Sequence, residues 1–223
     1  MATMEAPTRV QPRFPQGEFR NEPLSDFSRD EAAARAMRAA LEKVRSELGR
    51  EYDLVIGGRR QRTSGKIKSI NPARPSQVVG IHQKAGAEHA GPAVESALAA
   101  FESWKRTPAE QRAGLLLRAG DLIRQRKFEF EAWLVFEVGK NWAEADGDIA
   151  ETIDFCEFYA REALRLSRAE TPVQLPGERD LLRYIPLGVG AVIPPWNFPA
   201  AIMAGMTLAS VVCGNTEIGR AHV

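Results

Sequence analysis

Sulfur and imidazole are scarce in this 223-residue sequence, which has two cysteines, Cys156 and Cys213, and three histidines, His82, His89 and His222. The cysteines have no framework spacing, and the N-terminus has no apolar core of an export signal. The thiols are therefore expected to stay reduced, in a cytoplasmic protein. The histidines do not combine with them into a metal-ligand pattern, so no metal site is expected. Excess charge is lacking as well. Lys and Arg number 30 against 29 Asp and Glu, a net charge of +1, which implies no general pull toward nucleic acid or an anionic membrane surface. Long unbroken apolar runs are also missing. The longest uncharged stretch, Tyr184 to Thr216, holds four prolines and the polar Asn197 and Asn215, which argues against a bilayer-spanning helix.

What is present is a succession of periods. Residues 1–23 carry Pro7, Pro12, Pro15, Gly17 and Pro23 among polar residues and read as a mobile tail. Asp30 then caps a helix whose apolar positions Ala33, Met37, Ala40, Leu41, Val44 and Leu48 recur at three and four, with Gly49 as the stop. The runs "DLVI", "KIKSI" and "QVVGIHQ" predict three short strands punctuated by Gly57-Gly58, Ser64-Gly65 and Asn71-Pro72. Helices follow. One carries Ala93, Ala97, Ala100, Phe101 and Trp104 on a face. The next opens on Thr107 as N-cap, Pro108 at N1 and Glu110 at N3, a capping box, and runs toward a stop or break at Gly139. A third, from about Ala143 to Ser167, has the stripe Ile149, Ile153, Cys156, Ala160 and Leu164.

The last third changes again. "PVQL" and "LLRYIP" flank Pro176-Gly177, which predicts a hairpin over about residues 172–186. "VGAVI" is a short buried strand, Pro199 begins an apolar helix to about Val212, and Gly214-Asn215 turns into another strand. Strand, helix, strand makes a βαβ unit. The fold class is therefore α/β.

The octet "VIPPWNFP" is where chemistry concentrates. It is a strand end, a rigid turn and a helix start, the place where open α/β sheets gather ligands. Pro194 and Pro195 fix φ and remove two donors. Trp196 is an apolar plate and Asn197 a neutral amide donor. An amide on a stiff turn suits an oxyanion that forms only in the transition state. Asn is also a common helix cap, and residues alone leave the two roles even.

The octet resembles the PWNFP signature of the NAD(P)-dependent aldehyde dehydrogenases. "SINPARPSQVVG", "AVESALAAFESW", "TPAEQRAGLLLRAGDLI" and "GVGAVIPPWNFP" agree in order, over about residues 50–216. Within that family the likeness is to the 1-pyrroline-5-carboxylate dehydrogenases, on "FRNEP", "EVGKNWAEADGDIAETIDFCEFYAREAL" and "LPGE", which extends it back to about Phe19. The resemblance implies an aldehyde dehydrogenase-like fold, here the N-terminal part of a Rossmann-like NAD-binding domain (residues 24–216) with an oligomerisation hairpin. It implies oxidation of glutamate γ-semialdehyde to glutamate in proline breakdown, NAD as hydride acceptor, and a homo-oligomeric parent enzyme. Asn197 takes the oxyanion role, Ile193, Pro194, Pro195, Trp196 and Asn197 line the cofactor, and Phe198 sits by the aldehyde. Glu137 matches an acidic position near the substrate, though a solvated or salt-bridged helix carboxylate would look the same. The family's cysteine nucleophile and general-base glutamate lie downstream, and neither Cys156 nor Cys213 matches the nucleophile.

After "GNT" the family pattern runs Val-Ile-Ala-Lys-Pro, whereas this chain has Glu217-Ile218-Gly219-Arg220-Ala221-His222-Val223. Those seven residues and a stop are one reading frame of a common sequencing adapter. The expectation is a truncated gene fragment with an artefactual tail at 217–223 that packs poorly, and a chain inactive by itself. Two other functions stay open: a non-catalytic, family-like chain that only oligomerises with a full-length partner, and a dehydrogenase for another semialdehyde.

Overall fold

A computed structural model describes Phe14 and residues 17–168 and 172–219. Helix α1 (Glu31–Arg45) starts where expected, because the Asp30 carboxylate accepts the N–H groups of Ala32 and Ala33. Met37 and Val44 are wholly buried on its inner face. Five short strands follow: β1 (Arg50–Tyr52), β2 (Leu54–Ile56), β3 (Arg59–Gln61), β4 (Lys66–Asn71) and β5 (Arg74–Gln83). Strand β5 is central in a three-stranded sheet, parallel to β1 and antiparallel to β4, while β2 and β3 form a separate antiparallel pair. The three expected strands are β2, β4 and β5; β1 and β3 are additions.

Helix α2 (Ala90–Trp104) leads to α3 (Ala109–Gln125), α4 (Lys127–Val138) and α5 (Trp142–Ser167). The capping box expected at Thr107 does not form. Pro108 is the N-cap, and the Thr107 hydroxyl donates backward to Ser103 O at 3.3 Å. The hydroxyl is thus spent on the open carbonyls that end α2. The single helix expected from Thr107 to Gly139 also breaks, at Arg126 (φ −113°, ψ 20°). The break lets α3 lie along α5 while α4 packs against both α1 and α5. Gly139 ends α4 in the left-handed region (φ 70°), where glycine has no Cβ penalty. Helix α5 then opens on a reciprocal capping box between Asn141 and Glu144, a signal the sequence reading passed over.

Helix α5 is the axis of the molecule. Ile149, Ile153, Cys156 and Ala160 on its expected stripe are buried; Leu164 is half-buried against the same core. Gly120 lets α3 approach closely, since a Cβ there would sit 3.1 Å from Cys156 Cβ. Gly205 does the same on the opposite side, against the Phe155 ring. The partner across that contact is α6 (Ala201–Val212), which joins β6 (Val189–Val192) to β7 (Thr216–Gly219). The two strands pair in parallel, Val189 with Thr216 through Val192 with Gly219, so the βαβ unit forms as read.

Three expectations need correction. Residues 17–23 are not a mobile tail: the Asp154 carboxylate accepts from Asn21 Nδ2 at 2.7 Å and Glu22 N at 2.6 Å, Arg124 pairs with Glu22, and Arg161 donates to Gly17 O at 2.7 Å. Charges on α3 and α5 hold this segment; residues 1–13, 15 and 16 lie outside the described ones. The hairpin keeps its turn at Pro176-Gly177, with Glu178 N donating to Leu175 O at 3.0 Å, but among the described residues its arms form no continuous strands, only an isolated bridge at Leu182. Pro172, Pro176 and Pro186 cannot donate to a ladder, and the Gln174 side chain ties Pro172 and Asp180 instead. Finally, Glu217, Ile218 and Gly219 belong to β7 rather than to a loose tail. The Glu217 Oε2 is buried, with no hydrogen-bond partner among the described residues. Arg220 to Val223 lie outside the described residues.

Candidate functional site

The turn from β6 to α6 presents the expected residues together. Val192 and Pro194 are buried and anchor it. Ile193 and Trp196 are 63% and 73% exposed, and Phe198 39%, so a row of apolar side chains faces outward at the carboxyl end of β6. Asn197 is exposed among them. The competing role for Asn197, a helix cap, is not taken up. The N-cap of α6 is Ala200, which has no side-chain cap. Among the described residues none hydrogen-bonds the Asn197 amide, which leaves its N–H groups available to a ligand.

The turn is held from below by groups the sequence reading did not single out. Asp148 on α5 is fully buried, and its Oδ1 accepts the Ala201 N–H at 2.7 Å. Its Oδ2 pairs with Lys140 Nζ at 2.8 Å. The same ammonium lies 3.9 Å from the centroid of the Phe198 ring, a cation–π distance. The Ile202 N–H returns to Phe198 O at 3.1 Å. Ala200 packs on the cluster of Leu134, Ala145, Ile149 and Ile153.

Glu137 stands apart. The Ser69 hydroxyl on β4 donates to its Oε1 at 3.3 Å, and no hydrogen bond or ion pair among the described residues joins it to residues 193–198. Neither cysteine belongs to the turn. Cys156 is buried, and burial pushes its thiol up to about 11, which keeps it protonated and unreactive. Cys213 is the exposed C-cap at the far end of α6. Another carboxylate cluster lies below the start of α5. Glu131 is fully buried beside Asp146; burial first, and then the Asp146 charge, push its carboxyl up to about 8. Asp146 accepts Ser25 N–H at 2.9 Å and pairs with Lys127 at 2.7 Å.

These residues fit one part of a dinucleotide better than another. Ile193 and Trp196 offer flat apolar surface to a ring or sugar face. Pro194 and Pro195 have no N–H, so the turn itself supplies few donors to a pyrophosphate. A cavity of about 800 Å³ lies elsewhere, between β2, α2 and β7, and is lined by none of residues 193–198. Among the described residues no group of His, Cys, Asp and Glu is arranged to hold a metal, and no helix is long and apolar enough to cross a membrane.

The sequence matches the group described as "Aldehyde dehydrogenase family" over residues 59–221. It is 56% identical over 200 residues to the 1-pyrroline-5-carboxylate dehydrogenase of Geobacillus kaustophilus, an alignment covering 90% of this chain and 39% of that protein. The structure is similar to a crystal structure of 1-pyrroline-5-carboxylate dehydrogenase from Thermus with bound NAD: TM-score 0.87, 52% identity, 92% of this chain and 40% of that one. It is also similar to proline utilization A from Bdellovibrio bacteriovorus inactivated by N-propargylglycine, with TM-score 0.90, 40% identity, and 94% and 22% coverage. The chain thus spans about two fifths of the length of the curated relatives it matches.

Proposed function

The chain belongs to the aldehyde dehydrogenase family, and from that premise we propose that it is the N-terminal part of an NAD-dependent L-glutamate γ-semialdehyde (1-pyrroline-5-carboxylate) dehydrogenase. The whole enzyme, working in the cytoplasm in proline catabolism, oxidises the aldehyde to glutamate. The observation that carries this reading is an unspent amide on a rigid turn: Asn197 neither caps α6 nor hydrogen-bonds elsewhere among the described residues. Its N–H donors meet the oxygen of the aldehyde as a thiolate adds and that oxygen gains charge. Donors already aimed are worth far more there than in water, because nothing reorganises when the charge forms. Ile193, Pro195 and Trp196 line the cofactor, with Trp196 against a flat face, while Pro194, expected among them, is buried and stiffens the turn from beneath. Bound NAD supplies the hydride acceptor. Phe198 borders the aldehyde and keeps water from it.

The nucleophile and the general base belong to the part of the relatives beyond this chain, since the buried Cys156 and the distal Cys213 do not meet the turn. Glu137 lies near the substrate pocket, on the side of β4 where Ser69 donates to it. The exposed apolar side chains of the hairpin at 172–186, among them Val173 and Ile185 at 85% and 76%, make the contact through which the parent enzyme forms homo-oligomers.

The test uses a full-length protein, residues 1–216 joined to the remaining part of the Geobacillus kaustophilus relative. Asn197→Ala is expected to lower kcat roughly 100- to 1000-fold and leave the Kd for NAD unchanged. Normal turnover with weakened NAD binding would make Asn197 a cofactor residue instead.

A further inference from the structure

A buried carboxylate is costly, and a buried ion pair seldom adds net stability over an apolar pair of the same volume. The pair below the β6–α6 turn is of this kind: Asp148 is 0% and Lys140 10% exposed at the side chain. Its geometry does something that an apolar pair could not. One Asp148 oxygen takes the first free N–H of α6, at Ala201. Among the described residues that donor has no other holder, since Ala200 provides no side-chain cap. The other oxygen fixes Lys140, which reaches upward to the Phe198 ring. Asn197 precedes Phe198 and is separated by Trp196 alone from two prolines with fixed φ. The turn is therefore restrained on both sides of the Trp196-Asn197 pair, by proline rings before it and by the Asp148–Lys140 pair after it.

We propose that Lys140 and Asp148 are positioning residues for the oxyanion donor, holding Phe198 and the first turn of α6 so that the Asn197 amide keeps one direction. The proposal rests on the oxyanion reading of Asn197. Neither residue touches the reacting atoms. They act as outer partners do elsewhere, by removing the freedom of the group that does. Lys140 carries both ends of the argument: its ammonium is neutralised by Asp148, and its remaining face is covered by Phe198. A misplacement of the order of 1 Å in a reacting group costs up to about 100-fold in rate, which sets the size of effect to look for.

Two measurements test this. In the 223-residue chain, the Lys140 ε-methylene protons, assigned by their loss in Lys140→Met, are expected upfield of ordinary lysine and to return to the ordinary position in Phe198→Leu. Ordinary shifts in the unsubstituted chain would overturn the Lys140–Phe198 contact and with it the proposal. In the full-length protein described above, the neutral pair Lys140→Met with Asp148→Asn keeps an acceptor for Ala201 and leaves no buried charge. It is expected to lower kcat about 10- to 100-fold with the KM for NAD within twofold, while Lys140→Arg with Asp148 intact recovers most of the rate. Made in the Asn197→Ala background, the same pair should lower kcat no further, because the donor it positions is gone. A full loss in that background, or an unchanged kcat in the pair variant, overturns the positioning role. If Asn197→Ala alone leaves kcat unchanged, it is the oxyanion reading that fails, a result separate from either.

Discussion

At the N-terminal end of α6 the Asp148 carboxylate is fully buried and both its oxygens have partners, the Ala201 N–H and Lys140. Beyond the other end of the helix, in β7, the Glu217 carboxylate lies against Gly190 of β6, in the space a Cβ there would fill, and its Oε2 is buried with no hydrogen-bond partner among the described residues. The backbone treats the two ends alike: helix and parallel ladder are both regular. The difference is in the side chains. Any non-proline residue with an N–H and a C=O can join a ladder, so pairing of Glu217 with Gly190 says little about whether glutamate suits the position. A buried acid with a dedicated cation and a dedicated N–H is a different matter, because each partner must be placed. The site end of the βαβ unit is fitted in this sense, and the strand end is not.

The largest test of this contrast removes each carboxylate. Asp148→Ala leaves Lys140 buried without a counter-charge and the Ala201 N–H without an acceptor, and is expected to cost about 3–5 kcal/mol of stability. Urea unfolding followed by tryptophan emission measures it. Glu217→Ala should cost nothing by the same assay. Equal losses at the two positions would break the comparison.

Glu131 sharpens it from a third side, as a buried acid that keeps its burial by giving up its charge. Its carboxyl is pushed from 4.5 up to about 8, by burial and then by Asp146, against the opposing Lys127. The sign follows from proton counts. Between these two values the folded chain holds a proton that the unfolded chain has released, so stability falls as pH rises across this window and levels off above it. The slope is at most about 1.4 kcal/mol per pH unit. Glu131→Gln should flatten it, since the amide keeps the shape and has nothing to titrate. Melting temperatures of both proteins from pH 5 to 9 decide the point. A slope that persists in Glu131→Gln would assign it to another group.

Much of the fold could be read from local chemistry. Asp30 before an apolar period, Gly139 after one, and strand–turn–helix around "VIPPWNFP" each depend on residues a few positions apart. What escaped depends on distant partners or on none of the usual patterns. Strand β1 is exposed at all three residues and β3 at two of its three, so neither has an inner face to alternate, and each exists because a neighbour pairs with it. The helix break at Arg126 has no proline or glycine to announce it. In the site, Asn197 and its apolar neighbours were legible because they are contiguous. Lys140 and Asp148 were not, although an acid beside Ile149 on an otherwise apolar stripe was a signal that could have been followed. Their partners lie 8 and 53 residues from Asp148 in the chain, and periodicity carries no information over that distance.

The smallest and most discriminating change is Glu217→Val. Valine is the residue that the family pattern leads one to expect after Gly214-Asn215-Thr216, and it suits a half-buried strand position. The substitution removes the carboxylate whose Oε2 is buried with no hydrogen-bond partner among the described residues, a group whose desolvation costs about 1–3 kcal/mol when left unsatisfied. It also places a β-branched side chain over Gly190, which leaves room for it. Thr216 is unaffected, as its hydroxyl donates to Ala97 O at 2.9 Å and holds β7 to α2. The expected outcome is a gain of about 1 kcal/mol in urea unfolding, with the β6–β7 register unchanged by NMR. Glu217→Gln separates charge from shape: if charge is what fits badly, the amide recovers part of the gain. A loss of stability in Glu217→Val would show instead that the carboxylate is fitted to β7 as closely as Asp148 is fitted to α6.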